Sequence, residues 1–426
     1  MAEQVITHQP SDVKAIGRPA DNWIRLCPAV LAGIAIVSSA FHFWPFDNSK
    51  LWQMLCPANS AVLIWGLALA GCVLLKRRLG HAQSLLPHLS VLAYVGVNIL
   101  AVAFAPDLNR AVNFTVKLTL MLIAGYMLFS SAIYSVKMLR LVYGLVAAAV
   151  VLSVSYSLVA TLAFDSDSFG FHGNVYKYGT YIGILATLSG VYLFTSGRAG
   201  AKLLGAALLV AAFVSSGSVG AVASIAAGIV ASAIVFPRWS VKLGLAAALL
   251  IAAGFLILLG SSSFTAPLRD DFRLAEQDGV NLRQRYIEWQ AELNLLEERS
   301  VAGTGPGCIN EYRSSFYYRL PKLNTLKAFD QNGWLATGAE TGILGLVCFC
   351  WIVVYYMRQA LAQVGIARPD QAAGAYRFAT ANFAALVAAC TANVFSSVHY
   401  NGILIGFVLV LVLVSRTNRL TGGIVR

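Results

Sequence analysis

The sequence predicts an all-α polytopic membrane protein of about 12 transmembrane helices, with one large, partly helical outer loop. Three observations predict it. Of 426 residues, 58% are hydrophobic and 12% charged, whereas a soluble domain carries about 25% charged residues. Apolar stretches close to the roughly 20 residues that cross ~30 Å of hydrocarbon recur along the chain. Charge also segregates. With the N-terminus placed in the cytoplasm, 18 of the 31 basic residues fall in cytoplasmic segments, while the short loops opposite hold only Lys50, Arg110 and Lys177. That asymmetry is the positive-inside rule.

The first span, near 26–44, follows a polar stretch that lacks the compact basic start and small-residue cleavage site of a signal peptide, so it is expected to stay. Spans near 54–75, 84–105, 111–131, 141–164 and 177–195 follow. The pair 203–218 and 220–236 is short and is divided by "SSGSVGA" (215–221). A ninth span, 243–263, precedes the long loop, and 332–357, 378–397 and 401–415 complete the set. The whole chain, 1–426, reads as a single transmembrane domain with both termini cytoplasmic.

The net charge of +12 does not point to nucleic acid. The 18 cytoplasmic basic residues face only Glu3, Asp12, Asp21 and Asp370, a local net of +14. The basicity is therefore topological, and no basic-aromatic cluster is left over. Seven cysteines include one, Cys308, alone in the outer loop, which argues against a disulfide framework. Cys348 and Cys350 stand two apart on a helix and point to different faces, so no metal site and no cofactor are expected. The long loop is outside rather than central and cytoplasmic, and no internal repeat is visible, which moves the reading away from transport.

Residues 264–331 form the outer loop, which holds nine basic and ten acidic residues. Within it "RQRYIEWQAELNLLEER" (283–299) places Tyr286, Trp289, Leu293 and Leu296 on one stripe, predicting an amphipathic helix on the membrane or the bundle. "GTGPG" (303–307) has no Lys-Ser/Thr after it and no strand before it, so it reads as a tight turn rather than a phosphate loop.

Several residues could carry chemistry. Glu340 lies about two turns into span 10, where an ionisable group costs roughly 2.5–3.5 kcal/mol and usually marks a working site; pairing with a buried cation such as Lys117 is the structural alternative. Asp330 and Gln331 stand at the mouth of that span, with helix capping the alternative for Asp330. His172, Asn174, Lys177 and Tyr178 cluster where the chain re-enters after span 5, as interface anchors or as contacts to a sugar or phosphate. Arg110 and Lys117, on the outer part of span 4, suit a diphosphate or simple snorkelling. His42 and His399 read as interface residues. Arg285 stands four residues before Trp289, on the same helical face. It suits either an ion pair with Glu288 or a guanidinium fork on phosphate.

"RYIEWQAELNLLEERSVAGTGPG", a loop and "QNGWLATGAETGILGL" together resemble the bacterial O-antigen ligase and O-antigen polymerase (Wzy-type) superfamily. Its members read Arg-x-x-x-Trp, then Gly-x-Gly-x-Gly, then His-Asn-x-aromatic-Leu with Glu-x-Gly-x-x-Gly. The match runs from Arg285 to Gly345. "FHGNVYKYGTYIG" weakly resembles the family's Asn-rich motif, and "SSGSVGA" its Ser-Arg-Gly turn. Two positions depart: Gln331 stands where the family has His, and Val219 where its turn has Arg. The resemblance implies a GT-C-like membrane glycosyltransferase of the bacterial inner membrane, acting at the periplasmic face on oligosaccharides carried by undecaprenyl diphosphate. The departures favour a repeat-unit polymerase over a ligase that transfers glycan to lipid A-core; a lipid-linked oligosaccharide flippase is the third reading. The implied chemistry is inverting and metal-independent. Arg285, Asp330, Gln331 and Glu340 are the expected catalytic residues. Substrate contacts are expected from Arg110, Lys117, His172, Asn174, Lys177, Tyr178, Arg269, Arg273, Trp289, Arg313, Arg319, Asn332 and Trp334. Membrane lipid, a flippase and a chain-length regulator are the expected partners.

Overall fold

The computed structural model describes residues 19–39, 86–164, 175–216, 218–236, 241–247, 280–309, 311, 332–366, 373–399 and 401–421. Among these residues there is no strand. The main helices are α1 (Pro19–Ser39), α2 (Leu89–Ala101), α3 (Leu108–Thr119), α4 (Tyr126–Ala132), α5 (Val136–Phe164), α6 (Val175–Phe194), α7 (Ala199–Ser215), α8 (Val219–Val235), α9 (Val280–Glu298), α10 (Gly333–Ile366), α11 (Ala373–Phe395) and α12 (Asn401–Thr421). Five stretches are long and apolar enough to cross a membrane: Leu108–Ala132, Val136–Val159, Gly333–Gly365, Gly374–Phe395 and Ile403–Leu420. The expected span 54–75 and most of 243–263 lie outside the described residues, so a total of twelve rests on the sequence.

The span Leu108–Ala132 is one rod with a fault in it. α3 and α4 are joined by a π-helical turn, Leu120–Gly125, which rotates the side chains after it relative to those before. α6, α8 and α11 pack against one another at the centre. α11 presents Ala381, Ala384, Ala385, Ala388, Ala389 and Ala392, all buried. Small side chains let helices approach closely where the hydrophobic effect cannot drive association.

Buried polar links fix the register of this bundle. The Tyr143 hydroxyl donates to Asn382 Oδ1 at 2.6 Å, and Asn382 Nδ2 donates to Thr417 Oγ1 at 3.1 Å, tying α5, α11 and α12. Gln363 Nε2 donates to the Val414 carbonyl at 2.7 Å. Charge collects at one end. The Arg377 guanidinium sits 4.7 Å from the Tyr192 ring centre, with Arg140 and Arg198 among its charged neighbours. Near the opposite end of α11, Asn393 and Ser397 meet Gly333 at the start of α10. Glu340 belongs to that second end.

Candidate functional site: a broken helix sealed by a glycine loop

α10 is two helices. At Gly342 the backbone leaves the helical region, with φ 69° and ψ −174°, a conformation essentially reserved for glycine. The break exposes the carbonyls that end the first half and the amides that begin the second. In a membrane such groups need partners within the protein. The loop after α9 supplies them. The Thr304 and Gly305 amides donate to the Ala339 and Glu340 carbonyls, each at 2.9 Å, and the Ile343 amide donates to the Ser300 carbonyl at 2.7 Å.

The glycines make this interlock possible. Gly303, Gly305 and Gly307 have φ of 68°, 90° and 72°. A Cβ on Gly303 would meet the Glu340 backbone, and one on Gly342 the Val301 carbonyl. The two glycine motifs are therefore halves of one joint. "GTGPG" is more than the tight turn expected from sequence, because its amides complete a membrane helix.

The joint holds the carboxylate. Glu340, half-buried, has the amides of Gly307 and Ile309 and the charged Arg110 as its electrostatic neighbours. The expected pairing with Lys117 is not formed: Lys117, half-buried in the last turn of α3, has no ion pair among the described residues. The two amides and Arg110 each favour the charged form of this carboxylate. Arg110, expected on a diphosphate, donates to Glu311 Oε1 at 2.8 Å with both side chains about 40% exposed (42% and 43%). Such a pair is worth only ~0–1 kcal/mol and can open. Asp107 caps α3 by accepting from the Arg110 amide at 3.0 Å. Cys308, fully buried, lies 3.6 Å from the Asp107 carbonyl, and burial pushes its thiol up from the usual range, so it stays protonated and inert.

The start of α10 corrects two further expectations. Its cap is Asn332, not Asp330: Asn332 Oδ1 accepts from the amides of Trp334 (3.0 Å) and Leu335 (3.3 Å). Asn332, expected on a substrate, thus commits its side-chain oxygen to the helix end. Trp334 also turns inward. Its indole donates to the Cys390 carbonyl at 3.2 Å and its ring meets Phe349 edge-on. Asp330 and Gln331 lie outside the described residues.

α9 packs on α10 with a face that only partly matches the expected stripe: Leu296 lies against Gly338, but most of the contact comes from elsewhere. Ala291 and Leu295 join Ile309, Ala336 and Ala339 in a small core. Glu288 and Glu292 are each 2% exposed, whereas Leu293 is 49% exposed. Apolar residues lie all round this helix, so its sequence defines no single face; the shallow surface of Ala336 and Ala339 selects the one that fits. Trp289 is half-buried. Arg285 lies on α9, and its side chain is outside the described set, as are Arg269, Arg273, Arg313, Arg319, His172 and Asn174.

Tyr178, expected at the substrate, is fully buried, its hydroxyl within 3.2 Å of Ser215 Oγ and 3.4 Å of the Ser153 carbonyl, so it ties α5, α6 and α7. Lys177 beside it is half-buried.

Sequence reasoning missed a polar seam behind Glu340. The Tyr94 hydroxyl lies 3.0 Å from His399 Nε2, and His399 Nδ1 lies 3.0 Å from Ser397 Oγ. Asn98, Thr337 and Glu340 are neighbours of the same tyrosine. His399 is thus built into the protein rather than resting at an interface, and burial pushes it down to about 4. Asn98, a buried amide inside an apolar span, was the signal available.

The family model described as O-antigen ligase matches residues 204–350. That stretch runs from α7 through the glycine loop and across the break in α10. No curated protein matches the chain.

Proposed function

On the premise that the chain carries an O-antigen ligase family segment at 204–350, we propose that it polymerises oligosaccharide repeat units borne on undecaprenyl diphosphate. The reaction takes place at the periplasmic face of the inner membrane. The observation that carries the proposal is the joint at Gly342. A membrane helix is broken near one end, and a loop from the arginine-bearing segment is threaded into the break by three backbone hydrogen bonds. This fastens the C-terminal half of α9, the helix that carries Arg285, to the first half of α10. Substrate sites in membrane proteins are commonly formed where helices are discontinuous.

In the proposed reaction a hydroxyl of the acceptor sugar attacks the anomeric carbon of the donor. The new glycosidic bond forms as the bond to the diphosphate breaks, and the attacked carbon inverts. The leaving diphosphate keeps the electron pair, and Arg285 with neighbouring loop arginines meets its developing charge. Asp330 takes the hydroxyl proton. This role for Asp330 is supported by the cap at Asn332, which leaves the Asp330 carboxylate unneeded for the helix end. Glu340, with two loop amides beside its carboxylate, helps to position the loop. Gln331 contributes sugar or phosphate hydrogen bonds.

Ligation is the second reading, favoured by the description of the matching family. Val219 and Gln331, where that family carries Arg and His, favour polymerisation. Purified protein incubated with lipid-linked repeat units separates the possibilities. A ladder of lengths supports the polymerase, a single transfer to a second lipid supports the ligase, and no new glycosidic bond refutes both.

A further inference from the structure

A cavity of about 360 Å³ opens at the other end of α10, lined by His88, Leu89, Tyr126, Tyr355, Tyr356 and Arg419 among others. It lies about 20 Å along the helix from Glu340 at ~1.5 Å per residue, so it is separate from the site described above. We propose that this cavity binds a phosphate-bearing polar headgroup, supplied by an anionic phospholipid of the adjoining leaflet.

The polar residues of the lining are His88, Tyr126, Tyr355, Tyr356, Ser415 and Arg419, beside Leu86, Pro87, Leu89 and Leu92, and no carboxylate is among the described lining residues. Arg419 stands exposed in the last turn of α12. At the floor, Tyr126 and Tyr356 are buried. The Tyr356 hydroxyl lies toward Tyr126 and the His88 backbone without reaching hydrogen-bond geometry with either. A buried hydroxyl without a hydrogen-bond partner costs on the order of 1–3 kcal/mol, and a small shift of the Tyr356 ring in the cavity wall would give it an acceptor. His88 is fixed as a neutral donor. Its Nδ1 accepts the Ser90 amide at 3.2 Å, which leaves the ring proton on Nε2. The ring itself is clamped against Tyr355, centroids 3.4 Å apart and 11° from parallel. The N-terminus of α2 opens at the same place and adds its positive dipole end.

Two features of the chain shape this cup. The π-helical turn Leu120–Gly125 ends at Tyr126 and sets that side chain's direction. Tyr355 Oη accepts from Gln359 Nε2 at 2.7 Å, one turn further on, which holds the rim. Leu86 and Leu89 of the lining are exposed, as is Trp351, whose ring meets His88 edge-on at 5.8 Å, an apolar collar suited to acyl chains. A planar guanidinium with convergent hydroxyl and imidazole donors recognises phosphate, and the collar argues that the phosphate arrives on a lipid.

Native mass spectrometry of the full chain tests this. The protein is released from nanodiscs containing phosphatidylcholine with phosphatidylglycerol, and separately challenged with glycerol phosphate. One retained phosphatidylglycerol is expected, at least tenfold preferred over phosphatidylcholine. Arg419→Gln should remove that preference, and Tyr356→Phe, nearly isosteric and safe for the fold, should weaken it several-fold. Displacement by millimolar glycerol phosphate would assign the same phosphate site to a soluble ligand and overturn the lipid source. Equal retention of both lipids with no glycerol phosphate bound, or unchanged preference in both variants, overturns the site itself.

Discussion

Replacing Gly342 by alanine probes the joint most directly. At φ 69° and ψ −174° an L-residue costs about 1–3 kcal/mol, and its Cβ would press on the Val301 carbonyl. The helix can escape by running straight through position 342. It then recovers its own backbone bonds but expels the loop, forfeiting the three bonds from Thr304, Gly305 and Ile343, each worth ~0.5–1.5 kcal/mol net. Either route costs about 2–4 kcal/mol, enough to displace most molecules from the sealed state. Gly365, also on α10, is the matched control, because a Cβ there meets nothing within 4 Å. In that position alanine should be neutral or stabilise by ~0.5–1 kcal/mol. The assay is thermal unfolding of both variants in detergent, with protease sensitivity at 300–307 and polymer length in cells as further readouts. Gly342→Ala should unfold several degrees earlier, become nickable in the loop and lose polymer, while Gly365→Ala matches wild type. If the two variants are indistinguishable, the break is not what holds the loop and the reasoning fails.

Arg285→Ala should reduce polymerisation about 100-fold, on the order of 3 kcal/mol of lost charge stabilisation, with Arg285→Lys rescuing poorly; normal polymer from the alanine variant would return Arg285 to a surface ion pair. Asp330→Asn should lower the rate ~10²–10⁴-fold without changing stability, and Gln331→Ala should lower it less. Asn332→Ala, by contrast, should cost ~1 kcal/mol of stability through the lost cap and be restored by Asn332→Asp; a thermal scan separates these effects. His399 gives a pH signature. Burial holds it at about 4, below its ordinary ~6.5, so the unfolded chain binds the proton first as pH falls. The neutral-His contribution is complete above pH 6.5 and drains away between 6.5 and 4, by at most about 3 kcal/mol. His399→Gln should flatten that acid limb, and an unchanged limb would show that His399 is not buried neutral.

The sequence by itself determined the class and most of the helices. Apolar length and sparse charge need no tertiary information, because hydrocarbon selects backbone-satisfied helices whatever their neighbours. The positions of α5, α8 and α11 could be read this way to within a few residues. The motif glycines were visible too, but their purpose was not. A sequence shows that Gly303, Gly305, Gly307 and Gly342 could take unusual backbone angles; only the fold brings 300–307 against 339–343, about 35 residues on, and makes those angles necessary. The face of α9 was decided the same way. Periodicity ranks faces by hydrophobicity, whereas burial of Glu288 and Glu292 depends on what covers them, which is set by the chain's return through α10. Glu340's partner could not be read either, since sequence displays side-chain cations such as Lys117 but hides the amides of Gly307 and Ile309. Every residue except proline carries a backbone donor, and only tertiary structure decides which ones converge on a half-buried carboxylate.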